Sequence, residues 1–114
     1  MLIEDFVTKY EMHDSLILNI VLENNSLILT IDFCFWMQSQ YREGEVETGI
    51  IKVVFDSVTD YVGITGEVDN FSILDMNYEN GVINFLICDD YNDTSYQIQF
   101  KAKSVCIKGI DSNN

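Results

Sequence analysis

The run Leu74-Asp75-Met76-Asn77-Tyr78-Glu79-Asn80-Gly81-Val82-Ile83-Asn84-Phe85-Leu86-Ile87 decides the fold class. Leu74, Met76 and Tyr78 alternate with polar residues, and Ile83, Phe85 and Ile87 resume the alternation after the break. A period of two places successive side chains on opposite faces of a strand. Asn80-Gly81 supplies the two left-handed positions of a type I′ turn, so the stretch predicts a β-hairpin.

The same pattern occurs upstream. Leu18, Ile20 and Leu22 lead into Asn24-Asn25, and Leu27, Leu29, Ile31, Phe33 and Phe35 follow. Ile17-Leu18-Asn19-Ile20 matches Ile73-Leu74-Asp75-Met76 at an offset of 56, and Leu27, Leu29 and Ile31 meet Ile83, Phe85 and Ile87 at the same offset. Gly63-Ile64 meets Gly109-Ile110 at an offset of 46. This echo suggests a duplicated β unit, 15–64 and 71–110, inside one domain, 1–114. The plainer alternative is that any two hairpins look alike.

Further alternation marks strands at Ile51, Val53 and Phe55, at Tyr96, Ile98 and Phe100, and at Val105 and Ile107. Ahead of them Ile3, Phe6, Val7 and Tyr10 fall at i, i+3, i+4 and i+7, one face of a short helix. Glu4 and Asp5 at its start and Lys9 near its end suit the helix dipole. Ser112-Asn113-Asn114 reads as a frayed end. The expected fold is mainly β: an antiparallel curved sheet or two-layer sandwich of about seven strands with one short N-terminal helix. The expected core is Phe6, Leu18, Ile20, Leu22, Leu29, Ile31, Phe33, Ile51, Val53, Phe55, Leu74, Met76, Phe85, Ile87, Ile98 and Phe100.

Charge sets the functional bounds. Nineteen Asp and Glu oppose six Lys and Arg over 114 residues, a net charge of −13, with no proline. Such a chain repels a phosphate backbone, so no nucleic-acid partner is expected. The 47% hydrophobic content is too high for a disordered acidic tail. No membrane partner is expected: the longest purely apolar run is Phe33 to Met37, and the N-terminus has no basic start. Cys34, Cys88 and Cys106 are odd in number and lack a CxxC spacing, which suits reduced thiols in a cytoplasmic protein.

Motifs for chemistry are thin. His13-Asp14-Ser15 holds the residue types of a hydrolase triad, but a triad converges from separate places. A local role is expected: Asp14 or Ser15 capping a turn, His13 bonding to backbone. Asp90, Asn92 and Thr94 begin a calcium-loop spacing that fails at Ser95 and Lys101, where Gly and Glu belong. Gly63-Ile64-Thr65-Gly66 is too short and acidic in its surroundings to cradle phosphate. No catalytic residue, cofactor or metal is therefore assigned.

Two segments break the strand pattern, Met37 to Thr48 and Asp89 to Thr94. Both are acidic, both carry a tyrosine, and both follow the second strand of a hairpin. If the halves are repeats, equivalent strand ends would bring the two loops to one edge. Glu43, Glu45, Glu47, Asp89, Asp90 and Asp93 would then form a charged rim around Tyr41, Tyr91 and Trp36 as anchors for a basic protein partner. Met12-His13-Asp14-Ser15-Leu16-Ile17, then Leu27-Ile28-Leu29-Thr30-Ile31-Asp32 closing on Phe35-Trp36, resembles small acidic bacterial β families with a His-Asp-Ser stretch before the first hairpin. Some of these resemble the immunity proteins of polymorphic toxin systems, the immunity protein fifty type. The resemblance covers roughly residues 10–36 and implies a cytoplasmic protein that binds and neutralises a toxin, with no catalytic residues. The alternative is a structural or oligomerising β domain.

Overall fold

The computed structural model describes residues 1–39 and 41–109. Ile110 of the proposed echo, the Ser112-Asn113-Asn114 end and Gln40 lie outside the described residues. The elements are α1 (Ile3–Lys9), β1 (Leu16–Glu23), β2 (Ser26–Cys34), a 3-10 turn (Phe35–Met37), β3 (Thr48–Asp56), β4 (Thr59–Val62), β5 (Gly66–Glu79), β6 (Val82–Asp89), β7 (Thr94–Lys101) and β8 (Ser104–Lys108). The fold is mainly β, antiparallel throughout, with one short N-terminal helix. Seven strands are those expected; β4 is added. It escaped the alternation because it is four residues long and kinked at Asp60, whose φ is 56°.

Turn chemistry builds both hairpins. Asn24 and Asn25 sit at φ 51° and 62°, Asn80 and Gly81 at 54° and 79°. Asn and Gly tolerate this left-handed backbone better than other residues, and it matches the twist of the strands they join.

Strand order is β4-β7-β6-β5-β1-β2-β3-β8. β3 stands seventh and β4 first, yet Ser57 and Val58 alone join them. On a flat sheet that passage would cross six strand spacings, about 29 Å. Three Cα steps reach at most about 11 Å. The sheet must therefore coil until its flanks face each other, and the β7-to-β8 passage imposes the same condition. Phe55 of β3 meets Phe100 of β7 at 4.9 Å and Phe85 of β6 at 6.3 Å between ring centroids. α1 lies on this core: Phe6 is fully buried, 5.7 Å from the Phe55 ring and 5.5 Å from Tyr10. Met1 and Val105 exchange backbone hydrogen bonds of 2.6 and 3.0 Å, which covers part of the β8 edge.

The core departs from simple alternation at two matched places. Ile17 pairs with Ile31 and Asn19 with Thr30, leaving Leu18 as a bulge; Ile73 pairs with Ile87 and Asp75 with Leu86, leaving Leu74 as another. An extra residue shifts the phase of the strand. Ile17 and Ile73 are fully buried, whereas Leu18 is half-buried and Leu74 is 37% exposed. Leu22, also expected in the core, is 41% exposed beside the hairpin tip, and Met76 is only partly buried. The remaining expected core residues are buried, joined by Ile3, Met12, Leu27, Val58, Ile83 and Val105. The bulges lie 56 residues apart, and so do the left-handed Asp14 (φ 70°) and Asn70 (φ 61°).

Candidate interaction site

The segment 35–47 connects β2 to β3. Its first turn is anchored because Phe35 packs edge-on against Phe33, 5.3 Å between centroids. Trp36 follows and is turned outward, 46% exposed. Gln38 ties the segment down: its Nε2 donates to Glu11 O at 2.7 Å and Cys34 O at 2.9 Å, and its Oε1 accepts from Glu11 N at 2.9 Å. The far part is a small closed turn. Glu45 N donates to Arg42 O at 3.1 Å, Glu45 Oε1 accepts from Arg42 N at 2.7 Å, and Tyr41 Oη donates to Glu45 O at 3.1 Å. Gly44, at φ 95°, makes the reversal that a side chain would strain.

Trp36 N donates to Glu47 O at 3.2 Å, which brings the end of the loop back beside its start. Val46 (55% exposed) and Ile50 (54%), on either side of that closure, are turned to solvent as Trp36 is. Glu43, Glu45 and Glu47 are exposed in the same segment. Val46 and Ile50 were not among the expected anchors. Ile50 was legible: Ile51, Val53 and Phe55 point inward, so Ile50 points out.

The second loop stands apart. β6, β5, β1 and β2 are successive antiparallel neighbours, so β6 and β2 run in opposite directions and their loops leave the sheet oppositely. The expected common edge does not form. Asp89 is also withdrawn, being 6% exposed. Its Oδ2 accepts from Asn92 Nδ2 at 2.7 Å, and its Oδ1 accepts from Tyr91 N at 3.1 Å and Asn92 N at 3.3 Å. The Asn92 side chain holds the Asp89 carboxyl below its ordinary value; burial opposes this and the two backbone amides assist. Asp89 thus organises its own turn. Asp90, which accepts from Ser72 Oγ at 3.1 Å, stays exposed with Asp93 and with Tyr91 (69% exposed).

The other sequence candidates separate in space. His13 Nδ1 lies 3.4 Å from Asp14 Oδ2 at the surface, rather than bonding to backbone. Ser15 is fully buried, and its Oγ accepts from Cys34 N at 2.9 Å. Burial pushes the Cys34 thiol up, so the thiolate is disfavoured. Among the described residues no three His, Cys, Asp or Glu side chains are grouped to hold a metal ion. A shallow cleft of 460 Å³ lies between Asn24, Asn25, Ser26, Asp56, Val58 and Lys103. It is open and lined mostly by polar residue types, unlike the enclosed apolar pockets that hold small ligands.

Compared with known proteins, the chain matches no family model, no curated protein and no solved structure.

Proposed function

We propose that this chain is a non-enzymatic acidic binding protein, of the kind that neutralises a basic toxin or another cationic protein in the cytoplasm. One observation supports the proposal: segment 35–47 exposes Trp36 and Val46 together with Glu43, Glu45 and Glu47. Exposed aromatic anchors inside a charged rim are the usual composition of a protein-binding hot spot. A net charge of −13 would also speed encounter with a cationic surface. The length of the segment supports the same view. The equivalent turn between β6 and β7 needs only residues 90–93, so 35–47 is longer than the fold requires. Surplus loop length is commonly functional. The proposal treats 15–64 and 71–110 as copies of one unit, whose first copy gained a binding loop.

The test is affinity capture at low salt with elution by salt. Wild type is compared with Glu43→Lys, Glu45→Lys and Glu47→Lys combined, and with an equal reversal at Glu67, Asp69 and Glu79. Loss of the captured partner in the first variant alone supports the site. Equal loss in both reduces the effect to net charge, and no loss in either removes the loop from binding.

A further inference from the structure

The outer face of the sheet differs between the two halves at matched positions. Val21, Ile28, Val54 and Cys106 are successive cross-strand partners on β1, β2, β3 and β8. Their chain neighbours Ile20, Leu27, Leu29, Val53, Phe55 and Val105 are buried inward, so this row points outward. In the other half the corresponding row on β5, β6, β7 and β4 is Asn77, Asn84, Gln99 and Val62. Three of those four positions carry amides. The first half places Val, Ile and Val there, partly exposed and covered by no described element.

Charge flanks that row on both sides. Along one side run Asn19, Thr30, Lys52 and Lys108, again successive partners. Lys52 and Lys108 are direct cross-strand neighbours, and neither forms an ion pair among the described residues. Like charges so placed repel. Along the other side lie Glu23, Ser26, Asp56 and Ser104, with Ser26 Oγ donating to Asp56 Oδ1 at 3.3 Å.

We infer that this face docks a second copy of the chain, sheet against sheet. A two-fold axis along the apolar row reverses the strands and keeps each strand over its counterpart. Lys52 then faces Asp56 of the second copy, Asn19 faces Glu23, and Lys108 faces Ser104. The two apolar rows meet between these flanks, as in an aligned sheet packing with faces about 10 Å apart. Two copies at −13 each repel at long range, so salt tightens this association. Binding of a cationic protein to segment 35–47 would weaken with salt instead, so the two surfaces are tested independently.

Sedimentation equilibrium from micromolar to submillimolar chain, at low and high sodium chloride, reads the state directly. A reversible dimer, tighter at high salt, is expected. Ile28→Asn with Val54→Gln, which installs the second half's own residues, should give a monomer with unchanged circular dichroism. Lys52→Glu should weaken the dimer at least about tenfold, since opposed like charges are costly at an interface. Lys52→Glu with Asp56→Lys should restore it. A monomer under every condition overturns the proposal, as does a dimer that the Ile28→Asn, Val54→Gln chain retains. If the charge swap fails to rescue, the axis proposed here is wrong.

Discussion

Replacing Ile17, Leu18, Ile73 and Leu74 singly by alanine tests the bulges that set the phase of both central strands. Simple alternation puts Leu18 and Leu74 in the core; the bulges put Ile17 and Ile73 there. Both isoleucines are 0% exposed, so each truncation removes buried carbon and leaves a cavity. Substitutions of this kind cost about 2–5 kcal/mol. Leu74 is 37% exposed and Leu18 half-buried, so part of each side chain is already in water. At about 0.8 kcal/mol per fully buried methylene, and allowing for surroundings free to relax, each leucine change should cost about 1 kcal/mol. A domain of this size has a stability of roughly 6–17 kcal/mol, so the isoleucine variants lose a large part of it. Urea unfolding followed by circular dichroism measures the difference. With a slope of about 1–3 kcal/mol per molar, a gap of about 2 kcal/mol moves the midpoint by roughly 1 M. If Leu18→Ala or Leu74→Ala costs as much as its isoleucine neighbour, the bulge is not where the pairing places it. The phase argument then fails for both halves.

Trp36 is the sole tryptophan, so the free chain should fluoresce with a solvent-shifted maximum that moves to shorter wavelength on partner binding. Trp36→Ala should change unfolding stability by less than about 1 kcal/mol while abolishing capture; a large stability loss would assign Trp36 to the core instead. Replacing residues 39–46 by a short Asp-Gly turn should preserve the circular dichroism spectrum and lose the partner, and an unfolded chain would show the segment to be structural. Tyr61 Oη donates to Ile64 O at 2.5 Å, and burial pushes its pKa up to about 12. Ultraviolet titration should therefore show one of six tyrosines ionising late. The neutral phenol's contribution to stability is complete below its unfolded value near 10 and is lost as pH rises toward 12. Asp89 has the opposite sign. Its lowered pKa adds stability above the unfolded carboxylate value of about 3.9, lost as pH falls through the folded value. Asp89→Asn should flatten the acid limb of a stability–pH curve, and an unchanged limb would refute the role given to its hydrogen bonds.

How much was legible follows from what kind of signal each feature leaves. The hairpins were readable because Asn24-Asn25 and Asn80-Gly81 announce left-handed turns between alternating strands. The helix was readable because Ile3 and Phe6 share a face that the core buries. The bulges were not, since Leu18 continues the alternation as well as Ile17 does, and pairing with β2 decides between them. Asp89 was misread as surface by its charge, although it continues the inward phase of Ile83, Phe85 and Ile87; Asn92 and two backbone amides satisfy its carboxylate there. The common edge for the two acidic loops failed on strand direction. Adjacent antiparallel halves put equivalent strand ends on opposite sides, a property of the pairing of β1 with β5 that neither half contains alone.

That pairing also explains where any function of this fold should be sought. The first half of β5 pairs with the start of β1, from Gly66 opposite Ile20 to Ser72 opposite Leu16, and the strands of each half run outward from that contact. β4 crosses to pair with β7, and β8 crosses to pair with β3. Each half therefore completes the sheet of the other, and positions that maintain this exchange must agree between halves. Paired bulges, paired turns and inward phenylalanines and isoleucines satisfy that demand. Positions that disagree are free of it. They include segment 35–47 against 90–93, and the Val21, Ile28 and Val54 row against Asn77, Asn84 and Gln99. Folding needs neither the longer loop nor the apolar row, because one half does without them. The two binding surfaces proposed above would account for both.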